Sequence, residues 1–419
     1  MNEFYEFSLR VFEEFPQLFI ITTSLIVLCH YLIIKKQTYS FLDPLCMFVC
    51  FNSFAMVTVF FVSVFRKDVT IFIELAFFNF LFFLPGLLMK PIKLNQFRVA
   101  LLSLRTQPEY IFFTFNAAIF IFSTIILWVV KGIPIFSEDP SYAKVAIYQN
   151  GFGIIRYIHF VLPIYLTMYS FMDLILSERR KTSISYMFST FILLFCFVFF
   201  IFSSAKTSIL WALFSFALIN EVFSNNRYYK RINKIKLILF VFSIGIVFLI
   251  LMLSDTREGG DVLERLFVLL GVRLLASGDA LFFWYNFDLS EKMSSINILE
   301  YLFSPLMGMF GISSHEYSLG VRAMNVATGF PLGAFGPNAQ LPLVLGLAFG
   351  PFRFFMVFFA GCLLFYFRNY THLLIKKMGG GGEFVFTFFF FYAIYFFFFI
   401  HFCRSGGIEL CRFRGAPFH

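Results

Sequence analysis

The chain alternates between long apolar runs and short breaks that carry most of its charge. A run of about 18 to 25 nearly uncharged residues is long enough for a helix to cross a hydrocarbon core of roughly 30 Å. Ten such runs follow one another, at 17–34, 41–65, 69–89, 110–130, 153–176, 185–202, 207–223, 237–253, 341–366 and 384–402. The pattern predicts an all-α polytopic integral membrane protein with about ten transmembrane helices and one large outer loop.

Lysine and arginine divide the short loops between the two sides of the membrane. Loops 35–40, 90–109, 177–184, 224–236 and 367–383 hold 17 of these residues, whereas loops 66–68, 131–152 and 203–206 hold 5. Short loops rich in lysine and arginine stay in the cytoplasm. The first set is therefore predicted to be cytoplasmic, which places the acidic N-terminus outside.

The long segment 254–340 then lies on the outer side. It carries five basic and nine acidic residues, and its apolar stretches Leu263–Leu275 and Ile296–Phe310 are too short or too interrupted to span comfortably. Such stretches favour amphipathic or re-entrant helices, since irregular backbone at membrane depth must be buried in protein or line a wet cavity. Three regions are predicted: a membrane domain over 1–253, the outer loop over 254–340, and two further helices over 341–419 that end in a biased low-complexity tail.

Composition excludes a soluble domain. Of the 419 residues 60% are hydrophobic and 14% are charged, against roughly 25% charged in soluble domains. The net charge of +9 reflects membrane topology here, so no nucleic-acid partner is expected. The seven cysteines form no CxxC pair or histidine–cysteine cluster, and no metal site, cofactor or disulfide framework is predicted.

Candidate chemistry rests on basic residues near the predicted outer face. A cation in the membrane needs a carboxylate, water or an anionic ligand, because its burial is costly. Local carboxylates are not evident for several of them, although Arg273 has Asp279 or Asp288 as alternative partners. Arg156 can also snorkel to the interface with His159, and Lys206 can simply be solvated. The candidates for binding an anion are Arg156, Lys206, Arg273 and Arg322.

Other charges lie in or near the predicted spans. Asp43, Glu74 and Asp173 are acidic and could form a proton path. Arg353 lies beside Pro351 inside the predicted span 341–366, where it lacks a local partner unless that helix begins later.

The layout resembles the O-antigen polymerase family, the Wzy-type oligosaccharide repeat-unit polymerases of the bacterial inner membrane. Local likeness is limited to the turn Ser203–Thr207, the segment Arg273–Trp284 and the approach Gly336–Asn338. Ala205 stands where the family's turn often has glycine before its cation, which leaves Lys206 as the matching position. Layout therefore carries most of the resemblance.

The resemblance implies a glycosyltransferase that acts on the periplasmic side. It would polymerise oligosaccharide repeat units linked to undecaprenyl pyrophosphate into O-antigen or a related surface polysaccharide, with a chain-length regulator and a flippase as further partners. The leaving group is already activated, so the protein must supply cations for the pyrophosphate and an acceptor for the attacking hydroxyl's proton. Arg156, Lys206, Arg273 and Arg322 suit the first task, and Asp279, His315 and Glu316 suit the second.

Two other functions stay open at this point. An O-antigen ligase uses the same donor with a different acceptor, a lipid A core. A transporter or flippase of a lipid-linked or anionic solute would place charges along the spans from both sides. The absence of an internal repeat with matching broken helices counts against the transporter.

Overall fold

The computed structural model describes residues 2–38, 44–90, 107–137, 143, 146–148, 153–176, 184–203, 271–272, 274–299, 301, 319–329 and 340–377. Their regular secondary structure is entirely helical. They divide into two units, one from residues within 1–93 and 259–374 and one from residues within 94–258 together with the last three residues described, 375–377. Each unit is described by itself.

The first unit begins with an amphipathic helix and three long apolar ones. Helix α1 was not among the predicted spans, because its four glutamates interrupt the apolar pattern. Helix α2 has proline at its first position, where the missing N–H costs nothing. Helix α4 is capped by Asp68, whose carboxylate accepts from the Thr70 N–H at 3.0 Å. The bounds are α1 Asn2–Glu14, α2 Pro16–Ile34, α3 Pro44–Arg66 and α4 Val69–Leu88.

The second unit contributes three helices to the numbering, α5 Gln107–Lys131, α6 Gly153–Leu176 and α7 Ile184–Phe202. Aromatic rings join them, with Phe113 stacked on Tyr169 at 4.3 Å between ring centroids. His159 is buried between α5 and α6, where its Nε2 lies 3.1 Å from the hydroxyls of both Ser123 and Thr124. The snorkelling interpretation of His159 is therefore wrong, whereas Arg156 is exposed.

The remaining helices belong to the first unit and come from the predicted outer loop and the chain after it. They are α8 Asp279–Asn286, α9 Leu289–Lys292, α10 Leu319–Thr328, α11 Leu341–Phe349 and α12 Arg353–Lys377. The predicted span 341–366 is interrupted: Gly350, with φ +50°, opens a short 3-10 turn over Gly350–Phe352 that separates α11 from α12. Arg353 thus begins a helix rather than lying inside one.

Five described helices are long and apolar enough to cross a membrane. These are Pro16–Ile34, Phe48–Arg66, Val69–Leu88, Tyr110–Phe136 and Leu341–Tyr370, the last including the interruption at Gly350. The helical bounds agree with the predicted ones to within a few residues at 17–34, 69–89, 153–176 and 185–202. The predicted spans 207–223, 237–253 and 384–402 lie outside the described residues, so the number ten stays a prediction.

Candidate functional site

Residues 274–286 lie along the second half of α3. The Thr58 hydroxyl donates to the Leu275 carbonyl at 2.7 Å, and the Arg66 guanidinium donates to the Tyr285 carbonyl. Thr58 and Arg66 are eight residues apart, which is about 12 Å along a helix. Helix α8 therefore begins about halfway along α3 and ends beside the last residue of α3.

Glycine permits this close approach. A Cβ atom on Gly278 would lie 2.6 Å from the Thr58 Cβ and 3.0 Å from the Ala55 Cα. No side chain can be added there unless α3 and the segment move apart, since real Cβ contacts are not this short. The sequence Ala276–Gly278 thus sets how closely the start of α8 packs against α3.

Helix α11 begins at the same level as α8 and runs beside it. At its start the Gln340 amide donates to the Ser277 carbonyl. Further along, Gly346 faces the Trp284 ring, and the Leu347 carbonyl accepts from the Ile296 N–H at 3.2 Å. Two short helices therefore start side by side inside the bundle and run in the same direction.

We call the residues at these two starts the junction: Thr58, Ser277, Asp279 and Gln340. Asp279 is only 4% exposed, and its Oδ1 accepts from the Ala280 N–H at 2.7 Å. Burial raises the pKa of Asp279 well above its usual range, although the Ala280 bond opposes this. Desolvation thus favours the protonated carboxyl, which donates a hydrogen bond, over the proton-accepting carboxylate predicted from the sequence.

Gln340 supplies the junction with an unused acceptor. Its amide nitrogen is bonded to the Ser277 carbonyl, but its buried Oε1 has no hydrogen-bond partner in the structure as described. A buried acceptor without a donor costs free energy. The junction thus holds a buried carboxyl group and an amide oxygen that has no described donor, and each of these groups can hydrogen-bond a hydroxyl group.

At its other end α8 meets a second polar group. The Tyr285 hydroxyl donates to Glu74 Oε1 at 3.2 Å, and Arg353 Nη2 lies 3.0 Å from the same oxygen. Burial raises the pKa of Tyr285, so its hydroxyl stays a neutral donor. Glu74, Tyr285 and Arg353 form what we call the triad.

An ion pair closes the end of α3. Arg66 donates to both carboxylate oxygens of Asp288, at 2.8 and 2.9 Å. This hydrogen bonding is the main reason that the pKa of Asp288 is lowered. Asp288 was one of the predicted partners of Arg273, which lies outside the described residues, and its partner among the described residues is Arg66.

The predicted site residues fall in three places. Asp279 and Arg322 belong to the first unit, in helices α8 and α10, which pack together. Arg322 is exposed and donates to the Ser294 hydroxyl at 2.8 Å. Arg156 belongs to the second unit. Lys206, Arg273, His315 and Glu316 lie outside the described residues.

Sequence reasoning singled out three of the seven members of these groups and missed four, Thr58, Ser277, Gln340 and Tyr285. Glu74 and Arg353 were noted as charges that need partners, and they are partners of each other. Gln340 and Tyr285 had no signal, because a lone amide or phenol in a loop is not unusual. They matter only because the fold brings Gln340 to the Ser277 carbonyl and Tyr285 to Glu74, which are far from them in the sequence.

Comparison of the chain with known proteins found no matching family model, no matching characterised protein and no matching solved structure. The resemblance to O-antigen polymerases stays a prediction drawn from layout and residues.

Proposed function

We propose that the protein is a membrane glycosyltransferase of the bacterial inner membrane. It polymerises oligosaccharide repeat units linked to undecaprenyl pyrophosphate on the periplasmic side. The observation that carries the proposal is the junction, where the buried Asp279 carboxyl and the Gln340 oxygen without a described donor lie inside a helical bundle. These groups complement a sugar hydroxyl, which both accepts and donates a hydrogen bond.

In this reaction the hydroxyl of an acceptor sugar attacks the anomeric carbon of the donor glycan. The bond to the pyrophosphate oxygen breaks, and lipid pyrophosphate leaves with the bonding electrons. Gln340 and Asp279 orient the sugar, and the proton released by the hydroxyl needs a base, for which Glu316 and His315 are the candidates. Arg322, Arg273, Lys206 and Arg156 are proposed to bind the pyrophosphate as its charge develops.

The test of Asp279 uses the purified full chain in liposomes with a synthetic lipid-pyrophosphate repeat unit. Asp279→Asn keeps the shape and a donor but replaces a carboxyl donor with a weaker amide donor, and it is expected to slow chain growth only several-fold. Asp279→Ala removes the donor and is expected to slow growth further. Glycan length on gels is the readout, and Glu13→Gln on the exposed face of α1 is the control. Normal ladders in both Asp279 variants would rule out this role.

Arg273→Ala and Lys206→Ala are expected to abolish long glycan chains in cells. Each removes a cation proposed to hold the leaving pyrophosphate, so chain growth should stop while the protein remains in the membrane. Glycan ladders and membrane immunoblots of the same cultures give both readouts. A normal ladder from both variants would contradict the assignment of these two residues.

A second function is favoured by one observation. Short helices that begin inside the membrane domain are typical of transporters, where their ends bind the solute, and α8 and α11 both begin this way. A transporter or flippase would move a fluorescent lipid-linked sugar across protein-containing liposomes without lengthening it. An O-antigen ligase would instead transfer the glycan to a lipid A core and form no ladder without it. Chain growth on a repeat-unit acceptor alone separates the polymerase from both.

A further inference from the structure

The triad connects two spanning helices and the re-entrant α8. Arg353 is the first residue of α12, and Glu74 is the sixth residue of α4, about 7.5 Å from its start. Contacts further along show that the two helices run in the same direction. Gly361 faces Phe82, and both lie eight residues beyond the ion pair. The triad therefore lies near the first residues of both α4 and α12. Tyr285 of α8 also accepts from Arg66, so this is the end of the bundle at which α3 ends.

This ion pair is open to the surroundings. The side chains of Arg353 and Glu74 are 27% and 32% exposed. The pair uses the Nη2 atom of Arg353, and a guanidinium carries five N–H donors. Among the described residues, the remaining N–H donors of Arg353 have no acceptor, so they can bind a second anion while Glu74 stays in place. More donors become available if Glu74 turns away.

The side chains around the pair are large, apolar and exposed. Ile73 and Phe77 flank Glu74, at 60% and 48% exposed, and Phe352 and Phe355 flank Arg353, at 73% and 68%. Phe77 packs against Phe354, with 5.4 Å between ring centroids. On spanning helices such side chains face lipid, so a cation here is reached from the bilayer.

We propose that the triad is the site at which a lipid enters the protein sideways from the bilayer, with its phosphate or pyrophosphate head on Arg353 and its chain along Phe77, Phe352 and Phe355. Arginine binds phosphate oxygens through parallel N–H donors. The anionic head competes with Glu74 for Arg353, and Tyr285 holds Glu74 when the head departs. Resting on the proposed function, the inference names an isoprenoid pyrophosphate as this lipid.

Binding is measured on the purified full chain in phosphatidylcholine nanodiscs with undecaprenyl pyrophosphate as the probe and no acceptor. Arg353→Gln is expected to weaken binding at least about tenfold, as expected for loss of a charge-assisted hydrogen bond. Glu74→Gln removes the competing charge and is expected to tighten binding by roughly threefold or more. The opposite signs distinguish a binding site from an ion pair that only holds α4 to α12.

Arg10→Gln is the matched control. Arg10 also pairs with a glutamate, Glu14 at 2.6 Å, but on an exposed surface of α1, and its loss should leave the dissociation constant unchanged. Phosphatidylglycerol and inorganic pyrophosphate serve as competitors, and both are expected to compete poorly. The first has a single phosphate with one negative charge, and the second lacks the chain.

Four results would overturn the inference: unchanged binding in Arg353→Gln, weakened binding in Glu74→Gln, equal competition by phosphatidylglycerol, or equal competition by inorganic pyrophosphate. A chain that polymerises without Arg353-dependent binding overturns this inference and leaves the proposed function standing. Arg353-dependent binding by a chain that never polymerises overturns the proposed function and leaves the lipid site standing.

Discussion

At the scale of single residues, polar side chains join the apolar helices of the first unit. His30 lies 2.7 Å from the Ser53 hydroxyl between α2 and α3, and Asn52 donates to Asn79 at 2.6 Å between α3 and α4. Lipid is as apolar as the helix surfaces, so packing and hydrogen bonds must hold such helices together. These bonds therefore fix which faces of α2, α3 and α4 meet.

Asp279 does not bond from one helix to another in this way, since its described hydrogen bond is to the N–H of the next residue. A carboxyl group whose pKa is raised in the folded state is most favourable below its unfolded pKa of about 3.9, and stability is lost as the pH rises toward the folded pKa. The free energy of unfolding should fall with rising pH above about 4, by at most about 1.4 kcal/mol per pH unit from this residue.

Asp279→Asn should remove that pH dependence. The stability of the variant relative to wild type should therefore be greater at pH 8 than at pH 5. Thermal unfolding of both proteins in the same detergent from pH 4.5 to 8 measures the difference. Asp288→Asn is the contrasting variant, because the pKa of Asp288 is lowered and its ion pair stabilises at high pH. Parallel pH profiles for wild type and Asp279→Asn would contradict the assigned burial.

The sequence identified the lone charges of the triad but not their pairing. Glu74 and Arg353 stand out because a charge in an apolar run is costly. Which cation meets which anion depends on the packing of α4 against α12, and residues so far apart in the chain leave no local pattern.

At the scale of elements, long apolar runs were predictable and their interruptions were not. The run 341–366 reads as continuous, yet Gly350 takes a positive φ and Pro351 follows it, so α11 and α12 are separate helices. Helix α1 carries its own signal, with Phe4, Val11 and Phe12 buried on one face at helical spacing. A search for uncharged runs overlooks such a helix.

The packing of α4 on α12 depends on small residues. A Cβ atom on Gly361 would lie 2.2 Å from the Phe82 carbonyl oxygen, so Gly361→Ala must push the helices apart. We expect a loss of about 1–3 kcal/mol in stability. Gly346→Ala is the matched control, because its Cβ would lie 3.5 Å from Trp284, an ordinary contact, and alanine favours the helix by up to about 1 kcal/mol. Melting temperatures that fall equally in both variants would contradict this packing.

At the scale of the whole molecule, the first unit has two distinct polar ends. At one end Arg66 contacts Asp288, and α1 packs on α8 through Phe4 and Phe282. At the other end Gln37 donates to the carbonyls of Gly86, Met89 and Lys90 and accepts from Arg368. The first end is formed by segments that the lysine and arginine distribution predicts to be outside, and the second end by segments that it predicts to be cytoplasmic.

Cysteine labelling tests this division. In a cysteine-free background, Glu6→Cys and Lys67→Cys should react with a membrane-impermeant maleimide added to intact spheroplasts, whereas Lys36→Cys should react only after the membrane is opened. All three residues are exposed, so reactivity reports the side of the membrane. Labelling of Lys36→Cys in intact spheroplasts would contradict the predicted cytoplasmic position of loop 35–40.

The position of α1 has a consequence for how the protein is made. Its apolar face packs on Gly271 and Phe282, which leave the ribosome more than 250 residues after it. Until then α1 can pack only on α2 and α3, through Phe12 with Phe19 and Phe7 with Phe65, and the bilayer interface can cover the rest of its apolar face. Helix α1 thus completes its packing only after residue 282 is made, so a nascent chain stalled before residue 271 should leave Phe4 more open to proteases than the full chain does.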